Sequence, residues 1–409
     1  MNIGWLSASP IATTGYGGQT KEVCTRLSEK HNVVCIAQVG DVIVWGGRQK
    51  VPGTDLEVLA LSDFKSAPDL LNNDYIPEYE LDIIIGFMDA FGIEFLNAIN
   101  IPVIGWIPID GPFTDAWRHY LRHYYKVTTY SKFGYEELLK FFPPSKLDYI
   151  PHGISTDLFK PCSDKERDKI RNEFEEKYGI PKDATLYLNV GVNMGPRKEL
   201  PLMMDTFKRF VDDGYDDAYL FMHTNAYMPV RGYDLIQWRG MMKMGENIHF
   251  PTYNPIVNPI SNEDLAKIYN ASDVYVQNSV AEGFGLPIVE ALSCSKPVIT
   301  AWNSAQKELV KGHGWITENV PEDMYKQIPV YVPQLTEYPV PNQNSLLKNL
   351  EASYTSPALR EYYGNKGRDF VLQNHSWDTV MSQWFAFLEN LEKELQLFKD
   401  MEQAFKVTP

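Results

Sequence analysis

Residues 281–297 read AEGFGLPIVEALSCSKP, and the organisation of the chain can be followed outward from this run. Just before it, DVYVQNS (Asp273 to Ser279) alternates apolar and polar residues, which predicts a strand running into a turn. Gly283 and Gly285 let the backbone take positive φ or approach a ligand closely, and Pro287 is favoured at the start of a helix. The expected element is therefore strand, loop, helix, with Glu282 in the loop and Glu290 in the helix's first turns. A helix N-terminus carries unpaired N–H groups and about half a unit of positive charge, so the backbone of Gly283, Phe284, Gly285 and Leu286 forms a candidate anion site. Glu282 and Glu290 would repel an anion, but either carboxylate suits the hydroxyls of a polyol such as ribose or a hexose. An ordinary strand–loop–helix, with Glu282 solvated and Glu290 merely on the helix surface, gives the same pattern.

The chain has 409 residues, enough for two cores of ordinary domain size. Hydrophobic residues make up 44% and charged residues 22%, as in globular enzymes. A net charge of −15 opposes general binding to nucleic-acid phosphates. Cys24, Cys35, Cys162 and Cys294 lack metal-type spacing and read as small buried hydrophobes in a reducing compartment. MNIGWLSASPIATTG has neither a basic nor an apolar leader segment, and no run reaches the roughly 18 apolar residues of a membrane span. A cytoplasmic protein without a transmembrane segment is the expectation.

From the N-terminus, NIGWLSA reads as a strand, SPIATTGYGGQ as a loop, TKEVCTRLSEK as a helix and NVVCIAQVG as a second strand. Gly15, Gly17 and Gly18 thus fall at a strand's carboxyl end, where open α/β sheets bind ligands. GYGG is not the dinucleotide G-x-G-x-x-G pattern. LDIIIGFM, IPVIGWIPI and KVTTYS are apolar runs typical of parallel strands covered on both faces. Asp110 follows the second of these. It suits either orienting and deprotonating a substrate hydroxyl or capping a turn before Gly111. WRHYLRHYYK reads as a solvated amphipathic helix, with an anionic or lipid headgroup contact as the alternative. ATLYLNVGVNMGPRKELPLMMDTFKRF opens a second strand–loop–helix unit, whose loop carries Arg197 and Lys198, both suited to phosphate oxygens. His223 reads as structural. Ser131 and Ser261 mark helix starts, and YVPQLTEYPVPNQNS reads as an irregular excursion. Trp377, Met381, Trp384, Leu388, Leu391, Leu395 and Phe398 recur at steps of three and four and form one face of a long helix.

Glu282 and Glu290, separated by the seven residues GFGLPIV, resemble the E-x7-E signature of retaining GT-B glycosyltransferases of family 4, and the flanks LAKIYNASDVYVQNS and PVITAWNSAQKELV match as well. Ile150 to Pro161, IPHGISTDLFKP, resembles that family's interdomain hinge, with His152 in it, and Lys198 matches the Lys of its R-K-G element. The resemblance implies an α/β protein of GT-B fold, two Rossmann-like domains with parallel sheets and an interdomain cleft: residues 1–155 binding the acceptor, 156–375 binding the nucleotide sugar, and a helix over 376–409 packing across both. It implies a metal-independent hexosyltransferase with Glu282, Lys198, Arg197 and Asp110 in the catalytic centre. Gly15, Gly17, Gly18, Gly283, Phe284, Gly285, Leu286, Glu290, Thr252 and Tyr253 would contact the donor, the last two reading its base. The implied donor is a nucleotide sugar, GDP-mannose ahead of UDP-glucose. No other cofactor is implied. The acceptor would be a glycan, a lipid-linked sugar or a small molecule, and a homodimer is among the assemblies open to it.

Two positions depart from the family's pattern. Asp110 stands where members often carry a His, and Val192 follows Gly191 where many have Gly-Arg. A non-catalytic nucleotide-sugar-binding or assembly protein of the same fold is the alternative. A pyridoxal-dependent phosphorylase would share the fold, but no motif for the cofactor's lysine is evident.

Overall fold

The structure, a computed structural model, describes residues 1–38, 47–61, 65–227, 232–321 and 338–406, with side chains up to Met401. The first seven of the fifteen residues of the expected excursion YVPQLTEYPVPNQNS lie outside the described residues. Its end is not irregular: a helix begins at Gln343, with the Asn342 side chain accepting from the amides of Asn344 and Ser345.

Two sheets carry the chain, one per Rossmann-like domain. The first contains β1 (Asn2–Ser7), β2 (Asn32–Gln38), β3 (Arg48–Lys50), β4 (Glu57–Leu61), β5 (Ile83–Gly86), β6 (Val103–Ile107), β7 (Lys126–Thr129) and β8 (Leu147–Tyr149). Their order is β3-β4-β2-β1-β5-β6-β7-β8. Every pairing is parallel except that of the short edge strand β3 with β4. Strands β5 and β6 are buried along their whole length, as a sheet with helices on both faces requires. The second sheet contains β9 (Thr185–Val190), β10 (Ala218–His223), β11 (Ile248–His249), β12 (Val274–Gln277), β13 (Val298–Ala301) and β14 (Trp315–Thr317). It is parallel throughout, in the order β11-β10-β9-β12-β13-β14.

In both sheets the chain fills one side first and then returns to the other. The reversal falls between β1 and β5 in the first and between β9 and β12 in the second. Loops at the carboxyl ends of such neighbours diverge and leave a crevice, which is where open α/β sheets bind ligands.

Helix starts follow the expected chemistry. Ser131, Ser163 and Ser261 each accept a hydrogen bond from the amide three residues on, satisfying a donor the helix itself leaves unpaired. One start moved: the helix expected from Thr20 begins at Gly15, because Thr14 accepts from the amide of Gly17 and draws the glycines into the first turn.

The two domains are joined twice. The chain leaves the first sheet through Ile150–Ile154 and comes back at His375–Ser376, and the crossings are bonded together, the amide of Ile154 donating to the carbonyl of His375 at 2.8 Å. The returning helix, Trp377–Lys406, places Trp384 against Trp5 of β1 and Trp106 of β6, with ring centroids 5.4 and 5.1 Å away. All three rings are fully buried. The apolar face runs as expected through Leu391, whereas Phe398 is exposed. A carboxylate from the second domain reaches the first as well: Glu308 accepts from the amides of Lys132 and Phe133 and so caps the helix Lys132–Leu139.

Candidate active site

The loop after β9 supplies Arg197 and Lys198, the loop after β12 supplies Glu282, and both loops lie at the reversal of the second sheet. The amide of Val280 donates to the carbonyl of Arg197 at 3.0 Å, tying them together. Arg197 Nη1 donates to the carbonyl of Ala281 (2.9 Å) and to Glu282 Oε2 (3.2 Å), and Lys198 Nζ donates to Glu282 Oε1 (2.5 Å). The Glu282 amide donates to Ser304 Oγ at 2.8 Å. One carboxylate therefore sits between two cations, with side-chain exposures of only 19%, 12% and 9% for Arg197, Lys198 and Glu282. Burial by itself would raise the Glu282 carboxyl, but Lys198 and then Arg197 outweigh it and hold it at about 2. For Lys198, burial lowers the ammonium more than Glu282 restores it.

Glu282 was expected to be open to a polyol. In this structure each of its oxygens accepts from one of the two cations. The residue after Lys198 is Glu199, where the R-K-G element has glycine. Its backbone is left-handed, at φ 48° and ψ 37°, a region a side chain enters only at a cost.

Beside this cluster the helix Leu286–Ser293 begins at Gly285, whose φ of +111° is a conformation that favours glycine. Pro287 has no amide hydrogen, and the Ile288 amide donates to the carbonyl of Gly285 at 2.9 Å. Phe284 is buried against His152 (ring centroids 4.9 Å) and His375 (5.4 Å), so it packs the signature loop on both crossings and is not open to a ligand. Glu290 Oε2 accepts from the hydroxyl of Tyr269 at 2.6 Å, and burial pushes its carboxyl up to about 7. Tyr253 donates or accepts at His223 Nε2 (3.2 Å), and Thr252 is exposed beside it. These two residues follow the edge strand β11, away from the ion-paired cluster. Val192 is 47% exposed and supplies no charge.

Across the cleft, the loops after β5 and β6 carry Asp89 and Asp110. Tyr16 donates to Asp89 Oδ2 at 3.4 Å, and Tyr338 donates to Asp110 Oδ1 at 3.1 Å. Burial and then Asp110 push the Asp89 carboxyl up to about 6. Burial raises Asp110 too, with Arg197 opposing. Both acids line a pocket with Gly111, Phe113, Trp117 and Tyr338.

Of the three N-terminal glycines, Gly17 is held by its own loop: a Cβ there would fall 2.3 Å from the carbonyl oxygen of Ala12. Gly18 is open, and Gly15 faces Leu286 of the opposite domain. WRHYLRHYYK forms only a seven-residue helix, Asp115–Leu121, with Arg118 and His119 exposed and Trp117 turned to the pocket. His152 is a buried crossing residue, as read from sequence. Among the described residues no three His, Cys, Asp or Glu side chains gather to hold a metal ion, and no helix is long and apolar enough to cross a membrane.

Asp89, Tyr16 and Tyr338 were not anticipated. Asp89 carried the same signal as Asp110, an acid just beyond an apolar strand. Tyr338 sits far from the cleft in sequence and had none.

Residues 170–329 match the family model of glycosyl transferases group 1. This group 1 segment contains Arg197, Lys198, Glu282 and Glu290 and ends before Tyr338. The chain is 22% identical over 185 residues to a probable sucrose-phosphate synthase of Thermosipho melanesiensis, covering 44% of this chain and 38% of that protein. It is 24% identical over 162 residues to a D-inositol 3-phosphate glycosyltransferase of Streptomyces scabiei, covering 39% and 34%. The matches thus span little more than a third of these relatives. Beyond the group 1 segment the fold itself is shared. A glycosyltransferase from Rickettsia africae superposes with a TM-score of 0.74 at 17% identity, over 96% of this chain and 98% of that one. Anabaena HepE in complex with UDP-glucose does so at 0.71 and 14%, over 95% and 100%. The fold is GT-B.

Proposed function

We propose that this protein is a retaining, metal-independent hexosyltransferase of family 4, which moves mannose or glucose from a nucleotide diphosphate sugar to an acceptor hydroxyl. The observation that carries this reading is the buried Arg197–Glu282–Lys198 cluster beside the helix start at Gly285. Fixed cations and amides of this kind are suited to the charge that develops on a departing diphosphate, and removing one typically costs a few kcal/mol of barrier. The second domain, taken as 156–375, holds the donor, and the first, taken as 1–155, presents the acceptor.

In the transfer, the bond from the anomeric carbon to the diphosphate oxygen breaks with its electron pair going to that oxygen. The acceptor oxygen bonds to the anomeric carbon from the same face, and the acceptor proton passes to the departing oxygen. Configuration is then retained without a carboxylate nucleophile. Glu282 is not free to serve as one, since Arg197 and Lys198 pair both of its oxygens.

GDP-mannose is the first donor to test and UDP-glucose the second, the latter being the compound held by HepE. A binding-only protein is the second reading, favoured by the uncharged, exposed Val192 in the loop after β9.

Calorimetric titration with a panel of nucleotide sugars, with and without EDTA, tests the proposal. Micromolar binding of one donor that EDTA does not alter, followed by its turnover, is the expected result. Binding without turnover favours the second reading, and no binding to any donor overturns both.

A further inference from the structure

We infer that Glu308 is a positioning residue that fixes the first domain against the second: its carboxylate clasps the start of the helix Lys132–Leu139 from across the domain boundary, and the helix that carries it also holds the backbone of Glu282. This inference rests on the transferase reading above and adds to it a residue, remote from the reacting atoms, that sets how the two walls of the cleft face each other.

The clasp takes both oxygens of the carboxylate. The amides of Lys132 and Phe133 donate to Glu308 Oε1 and Oε2 at 2.9 and 3.0 Å, and the amide of Gly134 donates to Ser131 Oγ at 3.0 Å. The first amides of a helix have no partner within it and are usually capped from the residue just before or left to water. Here two of the three depend on a residue of the other domain, at least 175 positions away. A carboxylate at this end of a helix also meets the favourable side of its dipole. Burial raises the Glu308 carboxyl, and these two amides are the first influences to oppose it. Lys307 adds a second link, its ammonium standing 5.5 Å from the centre of the Phe133 ring.

The support behind the clasp is rigid. Glu308 belongs to the helix Ser304–Val310, in which Ala305, Gln306, Leu309 and Val310 are buried. Gln306 donates to the carbonyl of Ser279 at 2.6 Å and accepts from Thr300 Oγ1 at 2.9 Å, which pins the helix to the second sheet. One turn before Glu308, Ser304 Oγ accepts from the amide of Glu282 at 2.8 Å. A single short helix thus touches the residue between Arg197 and Lys198 at its start and the first domain at Glu308. On the first-domain side, the clasped residues follow Tyr130, whose ring lies 4.1 Å from that of His152 in the interdomain crossing. The clasp therefore stands beside the pivot. A slip there turns one wall of the cleft relative to the other, and about 1 Å of misplacement between reacting groups can cost roughly 100-fold in rate.

The clasp can be broken from either side in the full chain. Glu308→Ala removes the acceptor. Lys132→Pro removes one donor at the first position of its helix, where proline is tolerated, and Ser131 before it already has the extended backbone (φ −130°, ψ 148°) that a following proline demands. Lys132→Ala keeps the amide and is the control. The first readout needs no substrate: the distance distribution between spin labels at Asp69→Cys and Lys348→Cys, one exposed position in each domain, with the half-buried Cys162 replaced by Ser. Both clasp variants are expected to shift or broaden it, the two together no further than Glu308→Ala alone, and Lys132→Ala not at all. The second readout uses the donor that the titration identifies, with glucose, mannose, myo-inositol and nitrophenyl glycosides of the two sugars as acceptors. Donor Kd is expected to stay unchanged in Glu308→Ala while transfer to the acceptor falls about 10–100-fold. Transfer to water should fall much less, because water needs no alignment by the first domain. An unchanged distance distribution overturns the inference whatever the donor does. So does an equal fall in transfer and hydrolysis, which is what a merely weakened fold produces. Failure of every donor to bind the parent chain removes the transferase reading, and the distance distribution then still decides whether Glu308 sets the domain angle.

Discussion

The two walls of the cleft handle their buried charge in opposite ways. On the second-domain wall, Glu282 lies between Arg197 and Lys198, and the pairing holds its carboxyl at about 2. On the first-domain wall, Asp89 and Asp110 face each other with tyrosine hydroxyls for company, and Asp89 rises to about 6. The difference is one of partners, because desolvation is the largest influence on each of the three acids. The rigid, fully paired groups of the second-domain wall suit the diphosphate charge that the proposed transfer would bring to it.

The largest expected effect comes from breaking the paired wall. Glu282→Ala leaves Arg197 and Lys198 buried together without their carboxylate, and Lys198→Ala removes one of the two cations proposed to face the diphosphate. Each should lower kcat by about 10²–10³, and Glu282→Ala should also lower unfolding free energy by about 3 kcal/mol, measured by turnover of labelled donor and by urea unfolding. Folded variants with undiminished turnover would refute the assignment.

Next is the unpaired wall. Asp89 has an ordinary value of 3.8 and a folded value of about 6. Within that window the native state binds a proton the unfolded chain does not, so stability falls as pH rises through it, and Asp89 is destabilising at neutral pH. Asp89→Asn should therefore stabilise the protein by about 1–3 kcal/mol at pH 8 and make no difference below pH 4, while lowering activity. Glu282 has the reverse sign: its contribution is complete above its ordinary 4.5 and fades as pH drops toward 2. Thermal melts of wild type and both variants across pH would show the two slopes separately.

A smaller change is expected for Tyr338→Phe, which deletes the hydrogen bond to Asp110. Loss of about 1 kcal/mol of stability should accompany an upward move of the acid limb of the pH–rate profile, as Asp110 loses a contact that favours its charged form. Smallest is Glu199→Gly. It relieves the left-handed backbone beside Lys198 and should raise stability by about 0.5–1 kcal/mol, read as a higher urea midpoint at unchanged slope.

Much of this was legible before any coordinates. Strands β5 and β6 of the first sheet are uninterrupted apolar runs, and serine caps and Gly285 announce their helices through local chemistry. Arg197, Lys198, Glu282 and Asp110 meet in one cleft although they come from loops far apart in sequence, because post-strand positions converge once the sheets are parallel. What escaped was non-local or too short. RQK in β3 has no apolar pattern and is a strand only because β4 gives it an edge to pair with. Thr14 capping its own helix pulled three glycines out of the expected loop. The pairing of Glu282 with Arg197 and Lys198 was not read from the sequence, because these partners lie more than 80 residues away. The reach of Tyr338 to Asp110 spans 228 residues and leaves no trace in either local sequence.

The contact of Trp384 with Trp5 and Trp106 has a consequence for the chain as it is made. Trp5 is synthesised 379 positions ahead of its partner Trp384. The first sheet is therefore made well before the helix that seals it. Until the returning helix arrives, an indole-lined surface stays uncovered on the nascent protein, a natural target for a holdase that recognises exposed aromatic groups.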